Sequence, residues 1–149
     1  MPEIIVVESR RIPAPTHVLY DIISDYKVGH PSILPPEFFG RLDVLAGGRG
    51  AGTRIRFEMK AMGKVSIGEA TITEPVPGRE LRETLTTGIV TTFLVEQETD
   101  DQSRVTIRTI YSKPGLAGWL ERLFATRFLR RVYVAELERL ARVAAERNA

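Results

Sequence analysis

The chain has 149 residues, 43% of them apolar and 27% charged, with a formal net charge of +2. That length and balance fit one soluble domain with a full core; they exclude a disordered chain and a strongly basic nucleic-acid binder. There is no cysteine, which rules out disulfides and thiolate chemistry, and the two histidines, His17 and His30, are too few for a histidine-built metal site. No metal and no cofactor are expected.

The first strand is read from the β-branched run Ile4 to Ile12. Pro13 stops it, and Ala14-Pro15-Thr16 opens a helix, because proline is tolerated in a first helical turn. That helix runs to Ser24, with Val18, Leu19, Ile22 and Ile23 on its apolar side. The segment from Asp25 through His30-Pro31 to Pro35-Pro36 reads as a short irregular helix or loop. Six strands follow: Gly40 to Leu45, Thr53 to Met59, Lys64 to Glu74, Glu80 to Thr87, Ile89 to Glu98 and Arg104 to Ser112. The glycine-rich stretch Ala46 to Gly52 precedes a strand, not a helix, so it reads as a hairpin turn and not a phosphate cradle.

Thr53, Ile55, Phe57 and Met59 alternate with Arg54, Arg56, Glu58 and Lys60, the pattern of a half-buried antiparallel strand. From Leu116 to Asn148 the spacing predicts one long helix, with apolar positions at Leu116, Trp119, Leu120 and Leu123 and then Val134, Leu137, Ala141 and Ala144. Phe128 and Val132 fall away from both sets. Short turns between successive strands imply an antiparallel sheet, and the terminal helix is the element long enough to cover it. Such a bent sheet around a helix encloses a space for a ligand.

Three motifs carry a resemblance. Ile12-Pro13-Ala14-Pro15 runs into Val18-Leu19-Tyr20 and ends at Asp25; Gly50-Ala51-Gly52-Thr53 precedes a strand; Glu74-Pro75-Val76-Pro77-Gly78-Arg79-Glu80-Leu81 forms a turn. In this order the chain resembles the START-like (SRPBCC, Bet v 1-like) superfamily, in its polyketide cyclase/dehydrase branch. It departs in the loop after the first helix, where relatives often carry a Pro-Trp pair and this chain has His30-Pro31-Ser32. The resemblance implies an α+β helix-grip fold over residues 1–149: an antiparallel sheet of about seven strands curved around a long C-terminal helix, with two short helices after the first strand. It also implies a hydrophobic small-molecule ligand of lipid, isoprenoid or aromatic polyketide-like class.

For such a ligand the expected lining is Tyr26, His30, Phe57, Met59, Tyr111, Leu120 and Phe124. A rival reading is a cyclase or dehydratase, with His30, Glu69, Glu83 and Tyr111 as candidate acid/base groups. Glu69 and Glu83 act as an acid/base pair only if both strand phases point inward; the alternative puts the pair on the outer face, near Arg82 or Arg56. His17 is expected to be an exposed helix residue. A third reading is an interaction protein presenting Arg122, Arg127, Arg130 and Arg131 with Phe128 on the helix face, against a solvated arginine face over a core helix. No nucleic-acid partner is expected, and a homodimer stays open. No apolar run spans a bilayer and the N-terminus lacks a signal-peptide pattern, so the expected location is the cytoplasm. The preference for arginine over lysine suggests a GC-rich bacterial genome.

Overall fold

The structure, a computed structural model, describes residues 3–61, 63–111 and 119–147; the side chains of 111 and 119–122 lie outside that description. The elements run β1 (Ile4–Ile12), α1 (Thr16–Ser24), α2 (Gly29–Ile33), β2 (Phe39–Ala46), β3 (Arg54–Ala61), β4 (Lys64–Val76), β5 (Glu80–Leu85), β6 (Val90–Thr99), β7 (Gln102–Tyr111) and α3 (Trp119–Arg147). The strands form one seven-stranded sheet in the order β1-β7-β6-β5-β4-β3-β2, antiparallel throughout. The two short helices carry the chain from β1, at one edge, to β2 at the other. Among the described residues no helix is long and apolar enough to cross a membrane.

The sheet's inner face follows from strand alternation. Ile55, Ala70, Ile72, Leu81, Phe93, Val95, Val105, Ile107 and Val6 are buried there. The alternation read for β3 holds: Ile55 and Phe57 point inward, while Arg56 pairs with Glu69 on the outer face. On β4 the inward phase is therefore Gly68, Ala70 and Ile72. Gly68 leaves room for an aromatic ring, since a Cβ there would stand 2.6 Å from Phe57 Cζ.

α3 packs against β1 and the two short helices. Its buried positions are Val132, Tyr133, Glu136, Leu137, Leu140 and Ala144. Leu137 and Ala144 are buried as expected, whereas the expectations for Val132, Val134 and Leu123 are corrected. Val132 is fully buried, whereas Val134 is 43% exposed and Leu123 41%. At about 100° per residue, Val132, Tyr133, Glu136, Leu137 and Leu140 share one arc and Val134 lies well off it. The cause of the misreading is Glu136: a carboxylate in the middle of the buried arc made the neighbouring apolar phase look better. Phe128 is half-buried, packed edge-to-face on Phe38 with ring centroids 5.5 Å apart.

The glycine-rich stretch between β2 and β3 does more than turn the chain. Gly50 donates its N–H to Ser24 O at 2.9 Å, and Tyr26 donates its own to Gly48 O at 2.9 Å. Glu74 accepts from Ala51 N–H at 2.7 Å and from the Tyr20 hydroxyl at 2.6 Å. All three sequence motifs thus meet at one end of the sheet, where they hold the α1–α2 connection in place. Burial, together with Glu74, pushes the Tyr20 hydroxyl well above the usual phenol range.

Candidate functional site

One lateral row crosses the inner face of the sheet. By register, Ile72 on β4 faces Glu83 on β5, Glu83 faces Thr91 on β6, Thr91 faces Thr109 on β7, and Thr109 faces Val6 on β1. The middle of the row is polar although its surroundings are apolar. Thr91 and Thr109 share a hydrogen bond at 2.8 Å, and Thr109 also hydrogen-bonds the Tyr133 hydroxyl from α3. Burial, with Glu136 nearby, pushes the Tyr133 hydroxyl above its ordinary range despite the Thr109 bond.

The α1–α2 connection brings two more groups onto Glu83. Asp25 accepts from the N–H groups of Lys27, Val28 and Gly29, which fixes the turn that leads into α2. Burial pushes the Asp25 carboxyl up, but these N–H bonds and Arg49 outweigh it and hold the carboxyl below its usual range. Gly29 lets α2 lie close on α1: a Cβ there would stand 2.5 Å from Ile22 O. The result places Tyr26 and His30 side by side, rings stacked at 4.3 Å, with Phe93 edge-on to His30 at 5.4 Å. Tyr26 donates its hydroxyl to Glu83 Oε2 at 2.5 Å. His30 Nε2 stands 3.5 Å from the same oxygen. His30 Nδ1 lies 2.7 Å from Ile23 O. A carbonyl only accepts, so Nδ1 carries a hydrogen and Nε2 is the nitrogen that faces Glu83.

From the opposite side α3 contributes Glu136, only 3% exposed. Its Oε2 has no hydrogen-bond partner among the described residues. Burial first, and then the charge of Glu83, push the Glu136 carboxyl well above the usual carboxylate range. The same burial, with Glu83, raises Tyr26 well above a free phenol. The cluster therefore joins two carboxyl groups, a histidine and two phenols inside an apolar shell, an arrangement able to move or share protons. No group of three or more potential metal ligands occurs among the described residues.

The expected site residues separate as follows. Tyr26 and His30 are buried in the cluster and Glu83 reaches it from β5. Phe57 and Met59 lie half-buried on the inner face, toward the β2 edge. Glu69 is a correction: it points to the outer face and pairs with Arg56 at 3.0 Å, so the Glu69/Glu83 pair does not exist. The register Ala70↔Leu85 sets Glu69 out of phase with Glu83. Phe124 is also corrected; it is 56% exposed, because it falls on the side of α3 opposite Tyr133. The side chains of Tyr111 and Leu120 lie outside the described residues. His17 is exposed, as expected.

Glu136, Tyr133, Thr91 and Thr109 were not anticipated. A signal for Glu136 existed: its neighbours at helical spacing, Val132, Tyr133 and Leu140, are all apolar or aromatic. Of the basic helix residues, Arg130 approaches Glu8 at 3.9 Å and Arg131 lies over the Phe38 ring at 5.7 Å, while Arg127 is exposed. A separate depression of about 290 Å³ lies on the outer face of the sheet, lined in part by Arg82, Val90, Thr92 and Arg108; it shares no residue with the polar cluster.

Comparison with known proteins agrees with this architecture. The KanY protein, solved in solution, is 28% identical, with 97% of this chain and 99% of that one covered and a TM-score of 0.84. TTHA0849 from Thermus thermophilus is 22% identical, with coverage of 99% and 100% and a TM-score of 0.81. The Zhui aromatase/cyclase from Streptomyces sp. R1128 is 17% identical, with coverage of 99% and 97% and a TM-score of 0.78; at that identity the likeness is one of fold. No curated protein sequence matches the chain. A family model described as polyketide cyclase / dehydrase and lipid transport matches residues 3–145, and the chain, whose fold is that of the START-like neighbours, belongs to that family.

Proposed function

We propose that this protein binds a hydrophobic small molecule between the inner face of the sheet and α3, with the ligand's polar end at the Glu83–Glu136 cluster. The observation that carries this reading is a buried carboxyl with an unpartnered oxygen, set in an apolar shell. Such a group costs free energy in a fold that has no use for it, on the order of 1–3 kcal/mol. Phe57 and Met59 on the half-buried inner face, with Phe39 and Leu42 beside them, offer apolar area to a ligand body. Each Å² so covered contributes about 25 cal/mol. Native mass spectrometry of freshly purified protein, with organic extraction of what travels with it, tests the reading. A reproducible adduct of lipid, isoprenoid or aromatic type supports it. A clean mass, together with no thermal shift from compounds of any of these classes, overturns it.

A second reading is a cyclase or dehydratase, favoured by the contact of Tyr26 and His30 with one oxygen of Glu83. Here Glu83 or His30 takes the proton α to a carbonyl. The resulting enolate carbon attacks a second carbonyl, whose oxygen takes up that proton to become a hydroxyl; loss of the remaining α-proton and return of a proton to the hydroxyl then expel water and leave a carbon–carbon double bond. A linear poly-β-ketone incubated with the protein should then lose mass as water. Glu83→Gln and His30→Ala should each abolish that loss while binding persists; unchanged turnover in both removes them from the chemistry.

A further inference from the structure

Glu83 and Glu136 occupy one interior, yet the hydrogen-bond donors there are unequally divided. Tyr26 donates to Glu83, and His30 Nε2 stands beside the same oxygen. Tyr133, on the same helix as Glu136, is engaged with Thr109. Among the described residues no donor and no cation reaches the Glu136 carboxyl, and its Oε2 is fully enclosed. A carboxyl enclosed in apolar surroundings with an unpartnered oxygen keeps its proton. Val132, Leu137 and Leu140, all fully or almost fully buried, flank it on the same arc of α3. A carboxyl that keeps its proton is a donor as well as an acceptor. Its natural complement in an apolar ligand is a carbonyl oxygen; an ammonium group instead requires a carboxylate.

We propose that Glu136 is the specificity-determining residue of this site, donating a hydrogen bond to a carbonyl oxygen so that aryl ketones are selected over amines of the same skeleton. This rests on the reading that the ligand lies between the sheet and α3. The raised position of the Glu136 carboxyl agrees with it.

Three matched probes test the inference by calorimetric titration at neutral pH: 2-acetylnaphthalene, 1-(2-naphthyl)ethylamine and 2-ethylnaphthalene. The ketone should bind about three- to tenfold tighter than the hydrocarbon, the yield of one hydrogen bond made in an apolar site. The amine should bind more weakly than either. Glu136→Gln keeps an N–H donor and should keep the preference for the ketone; Glu136→Leu should make ketone and hydrocarbon equal. If Glu136→Leu does not fold, the three probes on the unaltered protein and on Glu136→Gln still decide. Tightest binding by the amine, lost in Glu136→Gln, means an ionised carboxylate and overturns the inference. Equal binding of ketone and hydrocarbon by the unaltered protein also overturns it, yet leaves the binding reading standing. Failure of all three probes to bind also overturns the inference, while the binding reading is decided separately by the mass-spectrometric test.

Discussion

Glu136 and Glu83 share an apolar interior but not a set of partners, and this asymmetry has a consequence for stability. The Glu136 carboxyl is pushed above its usual range by burial and by Glu83. Burial first, and then its own charge, raise Tyr26 from the α1–α2 connection and Tyr133 from its own helix. Between the ordinary carboxyl value and the raised one, the folded chain holds a proton that the unfolded chain has released. The folded state then binds more protons, so this group's contribution to stability falls as pH rises through that window. Glutamine has no proton to keep. Glu136→Gln should therefore match the unaltered protein near pH 4 and exceed it at pH 7, by on the order of 1 kcal/mol. Urea denaturation at both pH values checks this; a gap that stays constant with pH would mean that Glu136 is ionised in the fold.

At the scale of elements, the phase of α3 and the closeness of α1 to α2 decide where the cluster forms. Leu137 is 2% exposed and Val134 43%. Leu137→Ala should cost about 2–5 kcal/mol, whereas Val134→Ala should stay within about 0.5 kcal/mol. Comparable losses from denaturant melts of the two variants would restore the phase first read from the sequence. Gly29→Ala places a methyl 2.5 Å from Ile22 O, a backbone atom that cannot swing aside. The expected loss is about 1–3 kcal/mol, accompanied by a changed NMR environment at His30, because α2 must move away from α1. A stable variant with unchanged His30 resonances would show that the approach is looser than described.

Across the whole molecule, Asp21 links elements far apart in the chain. It accepts from Arg49 Nη1 at 2.5 Å and from Arg147 Nη1 at 2.7 Å. The hydrogen bond from Arg147 holds the Asp21 carboxyl below its usual range; burial opposes it, and Arg49 adds to the lowering. A lowered folded value adds stability above the ordinary carboxyl range, which is lost as pH falls through the folded value. The site is nearly half exposed, so solvent screening limits the effect: Asp21→Asn should cost less than about 1 kcal/mol at pH 7, less still in high salt. A loss that does not respond to salt would point to packing instead of charge.

By itself the sequence determined the elements and their order, because these are written in local signals. Proline at 13 and 15, the alternation around Ile55 and Phe57, and the glycines near 50 each act within a few residues. Those signals also brought Tyr26, His30 and Glu83 forward as candidates. What only the tertiary structure decided was pairing at a distance. Strand register placed Glu69 outside beside Arg56 and Glu83 inside beneath Tyr26, though both strands alternate equally well in either phase. Likewise, a carboxylate in a helix reads as solvent-facing until the packing of that helix is known. Glu136 became visible as part of the site only when Tyr133, Leu137 and Leu140 were seen buried around it, because helical spacing defines a face but not which neighbour the face will meet.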